Sequence, residues 1–213
     1  MQQQRGQFIS FEGSEGCGKS TQIARLERRL AESGRPPRRT REPGGTFIGE
    51  QVRHLLQHTE EAENMTAETE LLLFAASRAQ LVRETIAPAL AAGTWVIADR
   101  FLDSTTVYQG AGRGLDRDAL AAINAFAVGE WMPDVTFLLD MDAAAAHERA
   151  LASAGGHPDR MEKLPLVFFE RVRQGYLDLA REFPDRIVTI DATGGIDEIA
   201  ATIWTVCRER FGL

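Results

Sequence analysis

The chain has 213 residues, 44% of them hydrophobic and 26% charged, with a formal net charge of −7. That length suits one sizeable α/β domain and excludes a large multidomain ATPase. The acidic balance argues against broad binding to a nucleic-acid polymer, which favours a basic surface.

Two cysteines, Cys17 and Cys207, lie far apart and in no metal-ligand spacing, so no disulfide framework is implied. The opening MQQQRGQFIS lacks the apolar core of a signal peptide. The richest apolar stretch, 87–98, is broken by Pro88 and Gly93 and is too short to cross a bilayer. The expectation is a cytoplasmic protein without a membrane partner.

The first expected strand, 7–11, leads into Gly13-Ser14-Glu15-Gly16-Cys17-Gly18-Lys19-Ser20, which fits the phosphate-loop pattern G-x-x-x-x-G-K-[ST]. A helix is expected over 19–33. The required context of strand, loop and helix is therefore present. Gly13, Gly16 and Gly18 allow a tight wrap of backbone N–H groups around phosphate, and the helix N-terminus faces the same anion. Lys19 is placed to reach the β- and γ-phosphates and Ser20 to ligate Mg²⁺. The expected ATP-binding run is Gly13 to Thr21, with Cys17 a small side chain in a tight loop. Glu15 is the oddity, a carboxylate inside an anion site.

A weak strand, 37–41, is followed by Arg41-Glu-Pro-Gly-Gly-Thr46, a helix over 48–57 and a long helix over 67–91. On the long helix Phe74 and Arg78 are four residues apart and share a face. A flat ring beside a forked donor suits a nucleobase; alternatively Phe74 is core and Arg78 snorkels to solvent. The strand 94–98 ends at Asp99 and Arg100, where a carboxylate can order Mg²⁺ and an Arg can hold phosphate. Beyond it, Asp103 or Ser104 is placed to cap a helix, and Thr105, Tyr108 and Gln109 form a polar and aromatic wall beside Asp99.

The remaining elements are a helix over 118–128, a strand over 135–140, helices over 143–152 and 165–182, a strand over 186–190 and a helix over 196–210. The stretch Ser153-Ala-Gly-Gly-His-Pro-Asp-Arg160 reads as a mobile flap. Strands alternating with helices predict a parallel sheet covered on both faces, with ligands at the carboxyl ends of the strands. A GTPase needs an N-K-x-D run, and neither Asn64 nor Asn124 begins one. A small P-loop kinase remains, acting on a monophosphate or on a small alcohol. The alternative is a nucleotide-dependent switch without turnover, which would not need the filled positions on the acceptor side.

Phe11-Glu-Gly…Gly-Lys-Ser, Arg41-Glu-Pro-Gly-Gly-Thr46, Phe74-Ala-Ala-Ser-Arg78, Asp99-Arg100 with Ser104-Thr105 and Tyr108-Gln-Gly110, and Asp159-Arg160 together resemble bacterial thymidylate kinases. The similarity runs in order from about residue 8 to residue 192. It implies a single domain over 1–213 with a three-layer P-loop NTPase fold, a five-stranded parallel sheet in order 2-3-1-4-5 and a lid at about 149–162. It also implies transfer of phosphate from ATP to dTMP with Mg²⁺, and a homodimer.

Carried over by position, the resemblance has Phe74 stack on thymine and Arg78 bond its edge, with Thr105 and Gln109 against the base. Tyr108 packs beneath the deoxyribose, and Glu42 and Pro43 shape the acceptor pocket. Arg53 and Arg100 hold the acceptor phosphate, Asp99 and Ser20 serve the metal, and Glu15 accepts from the 3′-hydroxyl. Related bacterial chains whose phosphate loop lacks an Arg supply one from the flap. No Arg lies between 15 and 17 or within 151–158, so the flanking Arg149 or Arg160, or both, are expected to reach the transferring phosphoryl group.

Overall fold

The computed structural model describes residues 5–59, 62, 64–153, 160–161 and 163–213. Five strands, β1 (Phe8–Glu12), β2 (Arg38–Arg41), β3 (Val96–Asp99), β4 (Val135–Asp140) and β5 (Ile187–Asp191), form one sheet in order β2-β3-β1-β4-β5. Every pairing is parallel, as the alternation of strands and helices predicts. The most central strands, β1, β3 and β4, are almost wholly buried, which is what helices on both faces require.

One face packs Ile9, Phe11, Ile97, Val135 and Phe137 against α1 (Lys19–Glu32) and α9 (Ile196–Phe211), with Cys17 and Cys207 inside that core. The other face packs Phe8, Val96 and Ala98 against α3 (Ala67–Leu81) and its continuation, and Leu138 and Ile187 against α8 (Leu166–Glu182). Strand residues point alternately to the two faces, so one short run such as Phe8 to Phe11 feeds both cores. The remaining helices are α2 (Phe47–Gln57), α4 (Ala87–Ala91), α5 (Leu102–Thr105), α6 (Arg117–Val128) and α7 (Ala143–Ser153). Among the described residues no helix is long and apolar enough to cross a membrane.

Two expectations are corrected. The helix expected over 67–91 is interrupted by a π-helical turn over Val82–Ile86 before α4. Pro88, which has no N–H to donate, falls in the first turn of α4, where none is needed. A second π turn, Thr106–Gly112, follows the short α5. Neither Asp103 nor Ser104 caps that helix: the cap position is Phe101, with no side-chain bond. Both side chains are engaged elsewhere, Asp103 by Arg186 at 2.5 Å and Ser104 by Glu12 at 2.6 Å. The lid expected at about 149–162 falls in part on 154–159 and 162, which lie outside the described residues.

Candidate active site

The carboxyl ends of the strands open onto a cavity of about 490 Å³. The phosphate loop forms one wall, with Glu15, Gly16, Gly18, Lys19, Ser20 and Thr21 lining it, while Gly13, Ser14 and Cys17 supply the backbone behind. Gly16 has φ 77°, and a Cβ there would stand 2.3 Å from the Ala146 carbonyl oxygen. Only glycine fits where the loop is pressed against α7. Gly18, at φ 94°, is the residue on which α1 starts. Lys19 is buried, and its Nζ donates to the carbonyls of Gly13 (3.0 Å) and Ser14 (2.7 Å), which hold the ammonium at the loop. Ser20 Oγ donates to Asp99 Oδ2 at 3.3 Å, bringing the two expected metal ligands together.

Glu15 turns away from the donor side. Its Oε1 accepts from Arg100 Nη2 at 2.8 Å and its Oε2 from the Tyr108 hydroxyl at 2.7 Å. Burial works to raise its pKa, but Arg100, Lys19 and the Tyr108 hydroxyl outweigh it and hold the carboxyl below the ordinary carboxylate range. The same loop therefore holds the Lys19 ammonium and aims a carboxylate at Arg100 and Tyr108.

Arg100 is the only non-glycine residue with positive φ among the described ones, at 68°. Such a backbone costs about 1–3 kcal/mol and persists only where its surroundings enforce it. Here they do. The Arg100 N–H donates to the Phe11 carbonyl, and its guanidinium donates to Glu15, Ser104, Tyr108 and Tyr176. Directly behind it, Glu12 is fully buried and accepts from the backbone N–H of Phe101 (2.8 Å), Ser104 Oγ (2.6 Å) and the Tyr176 hydroxyl (2.8 Å). Burial and the neighbouring Asp103 push the Glu12 carboxyl up in pKa, against the pull of Arg100. Glu12 and Tyr176 have no role assigned from the sequence, and Ser104 only that of a helix cap. The usable signal was a lone carboxylate ending an apolar strand just before a phosphate loop.

The opposite wall carries Pro43, Arg53, Phe74, Arg78, Thr105, Tyr108 and Gln109. Phe74 is half-buried and faces the cavity. Arg78 does not snorkel; it is 1% exposed. Its Nε and Nη2 grip Glu42, at 2.9 and 2.6 Å, Nη2 also donates to Thr105 Oγ1 at 2.7 Å, and Nη1 donates to Asn124 Oδ1 at 2.8 Å. Loss of water pushes the Glu42 carboxyl up to about 7 despite Arg78, and Glu12 adds to the rise. Arg53 Nη1 donates to the Pro43 carbonyl at 3.0 Å, which draws α2 onto the loop after β2. The π turn after α5 lets Thr105, Tyr108 and Gln109 all face the cavity. Asn124 gave no signal in the sequence.

The structure separates the two expected transition-state arginines. Arg149 lines the cavity, its Cβ 3.2 Å from where a Gly16 Cβ would lie. Arg160 is held on the far side: it pairs with Glu70, and its Nε donates to the Leu56 carbonyl at 2.9 Å. A guanidinium committed to a buried carboxylate and a helix-end carbonyl is not at the phosphate loop.

Residues 11–203 match a family model described as thymidylate kinase. A thymidylate kinase of Deinococcus radiodurans is 48% identical over 206 residues, covering 97% of this chain and 98% of that one. One of Geobacter sulfurreducens is 47% identical over 209 residues, covering 96% and 98%. The crystal structure of thymidylate kinase from Ehrlichia chaffeensis superposes with a TM-score of 0.76 at 34% identity, covering 96% of this chain and 99% of that one. With the family model spanning most of the chain and full-length relatives near half identity, this chain belongs to the thymidylate kinase family.

Proposed function

We propose that the chain transfers a phosphoryl group from ATP to dTMP, giving ADP and dTDP. One observation carries this reading. A single cavity has a phosphate loop on one wall and a ring, a fork of donors and an amide (Phe74, Arg78 and Gln109) on the other, with Glu15 and Arg100 between them. A switch protein has no use for the second wall.

Phosphoryl transfer needs positioning and charge neutralisation more than covalent chemistry. Lys19 and the loop N–H groups hold the donor phosphates. Arg53 and Arg100 hold the acceptor phosphate, and Arg149 reaches the group in transit. Phe74 stacks on thymine, Arg78 and Thr105 meet its edge, Pro43 and Glu42 shape the pocket, and Tyr108 lies under the sugar while Glu15 accepts from its 3′-hydroxyl. Ser20 Oγ and Asp99 Oδ2 fit Mg²⁺, a hard cation that takes one or two protein oxygens and completes its shell with phosphate and water. When bound, the metal would supply positive charge to offset the negative charge that develops on the phosphate oxygens during transfer.

The homodimer reading is supported by three adjacent helices that expose large apolar side chains: Phe47 (81% exposed) on α2, Leu72 (57%) on α3 and Phe126 (81%) on α6. A cytoplasmic location fits the two buried, unpaired thiols Cys17 and Cys207.

Coupled ADP release measured with dTMP, dUMP, dCMP, AMP and GMP tests the activity. Turnover with dTMP is expected. Turnover with a purine nucleotide but not dTMP would reject the reading, and turnover with none would favour the switch.

A further inference from the structure

Gln109 is almost wholly buried, and its Nε2 donates to Glu70 Oε1 at 2.9 Å. Its Oε1 accepts no hydrogen bond from any described residue, although the side chain lines the cavity. A carboxylate can only accept and an amide can do either, so the charge on Glu70 decides which end of the Gln109 amide is left for the cavity.

Glu70 is firmly in its charged form. Arg113 donates to it through Nε (3.2 Å) and Nη2 (3.1 Å), and Arg160 donates to its Oε2. Burial raises its pKa, but these donors together with Gln109 outweigh burial and hold the carboxyl below its ordinary value. Arg113 is further braced over the Phe168 ring at 5.3 Å.

We infer that Glu70 is a specificity-positioning residue: it locks the Gln109 amide with its N–H₂ inward, so that a carbonyl oxygen, an obligate acceptor, faces the base. This rests on the assignment of the cavity wall at Phe74, Arg78 and Gln109 as the base site. A base that offers an imide N–H there, as thymine and uracil do, satisfies Gln109 Oε1. Cytosine offers a lone pair at the same ring position, and two acceptors then face each other in a buried site. Leaving buried polar groups unmatched is the strong form of discrimination available to a binding site. Glu70 never touches the base; it acts through the orientation of Gln109.

Two variants of the full chain test this, each checked for a cooperative melt. Glu70→Gln frees the Gln109 amide to turn over and is expected to reduce the preference for dTMP over dCMP, in kcat/KM, by about tenfold or more. The preference for dTMP over dUMP should move less than about twofold, because both bases carry the imide N–H. A general loosening of the pocket would relax both preferences together, and that result would overturn the inference. The exchange Glu70→Gln/Gln109→Glu keeps one carboxylate in the cluster and again presents only an acceptor to the cavity. It is expected to restore the preference against dCMP and serves as the folded comparator if Glu70→Gln alone does not fold. A folded exchange variant that accepts dCMP as readily as dTMP would overturn the inference. Failure of the wild-type chain to use dTMP would instead reject the base-site assignment; normal use of dTMP with an unchanged dCMP preference in Glu70→Gln would reject only the role of Glu70.

Discussion

Replacing Glu15 by Gln keeps the size of the side chain and removes its charge. A carboxylate has about four acceptor positions, and Arg100 and Tyr108 occupy two of them, so capacity remains for a sugar hydroxyl. A hydrogen bond from that hydroxyl to a charged acceptor contributes about 1.5–3 kcal/mol, equivalent to about 10- to 150-fold in kcat/KM. A second loss comes through Arg100. Its pair with Glu15 is largely shielded, at 15% and 22% side-chain exposure, and an amide leaves the guanidinium less firmly aimed. That second loss is the same for any acceptor nucleotide. Comparing dTMP with 3′-deoxy-dTMP therefore isolates the first, as in a double-mutant cycle. The assay is steady-state ADP release for wild type and Glu15→Gln with both nucleotides. The expected result is a loss for dTMP exceeding that for the 3′-deoxy analogue by about 10-fold or more. Equal losses would remove the 3′-hydroxyl from the argument and leave Glu15 as a brace for Arg100 alone.

Arg149→Ala should lower kcat by about 10³-fold, whereas Arg160→Ala should act mainly on the dTMP KM through Glu70; a reversed pattern in the same assay would show that Arg160 leaves its present partners during turnover. Glu42 is protonated below about 7 and then grips Arg78 less well, so the dTMP KM should fall as pH rises through that value, and Glu42→Gln should flatten this limb. The stability contribution runs the opposite way. A carboxyl raised from its ordinary value of 4.5 takes up its proton more readily when folded, so its contribution falls from about pH 4.5 to about 7, which pH-dependent melting of wild type and Glu42→Gln would detect. Phe126→Asp should convert a dimer to a monomer in sedimentation equilibrium, and a wild-type chain that sediments as a monomer at the same concentration would exclude the dimer.

The strongest strand, 135–140, was legible to the residue because its apolar run and its ladder end together. The others shifted where hydrogen bonding and composition part company. Thr94 looks like strand, but its N–H donates to the Ala89 carbonyl at the end of α4, so β3 starts at Val96. β1 continues one residue past its apolar run because Glu12 still pairs with Leu138. The phosphate loop and the acceptor-side positions were visible because they occupy short stretches of fixed spacing. Their supports were not: Tyr176 meets Glu12 across 164 residues and Arg78 meets Asn124 across 46, and no local pattern encodes such pairs. The π turn that aims Tyr108 and Gln109 was equally hidden, since its cause is packing against α8, where a Cβ on Gly112 would stand 2.6 Å from the Phe168 ring.

The strand hardest to see in the sequence, β2, reads Arg-Arg-Thr-Arg, with only Thr40 buried. It is also an open edge of the sheet, pairing with β3 alone. An unpaired edge offers its N–H and C=O groups to any passing strand. Two copies of this edge brought together would set Arg38, Arg39 and Arg41 of each against their counterparts, and like charges directly opposite one another are destabilising. The composition that obscures the strand thus guards it against edge-to-edge polymerisation.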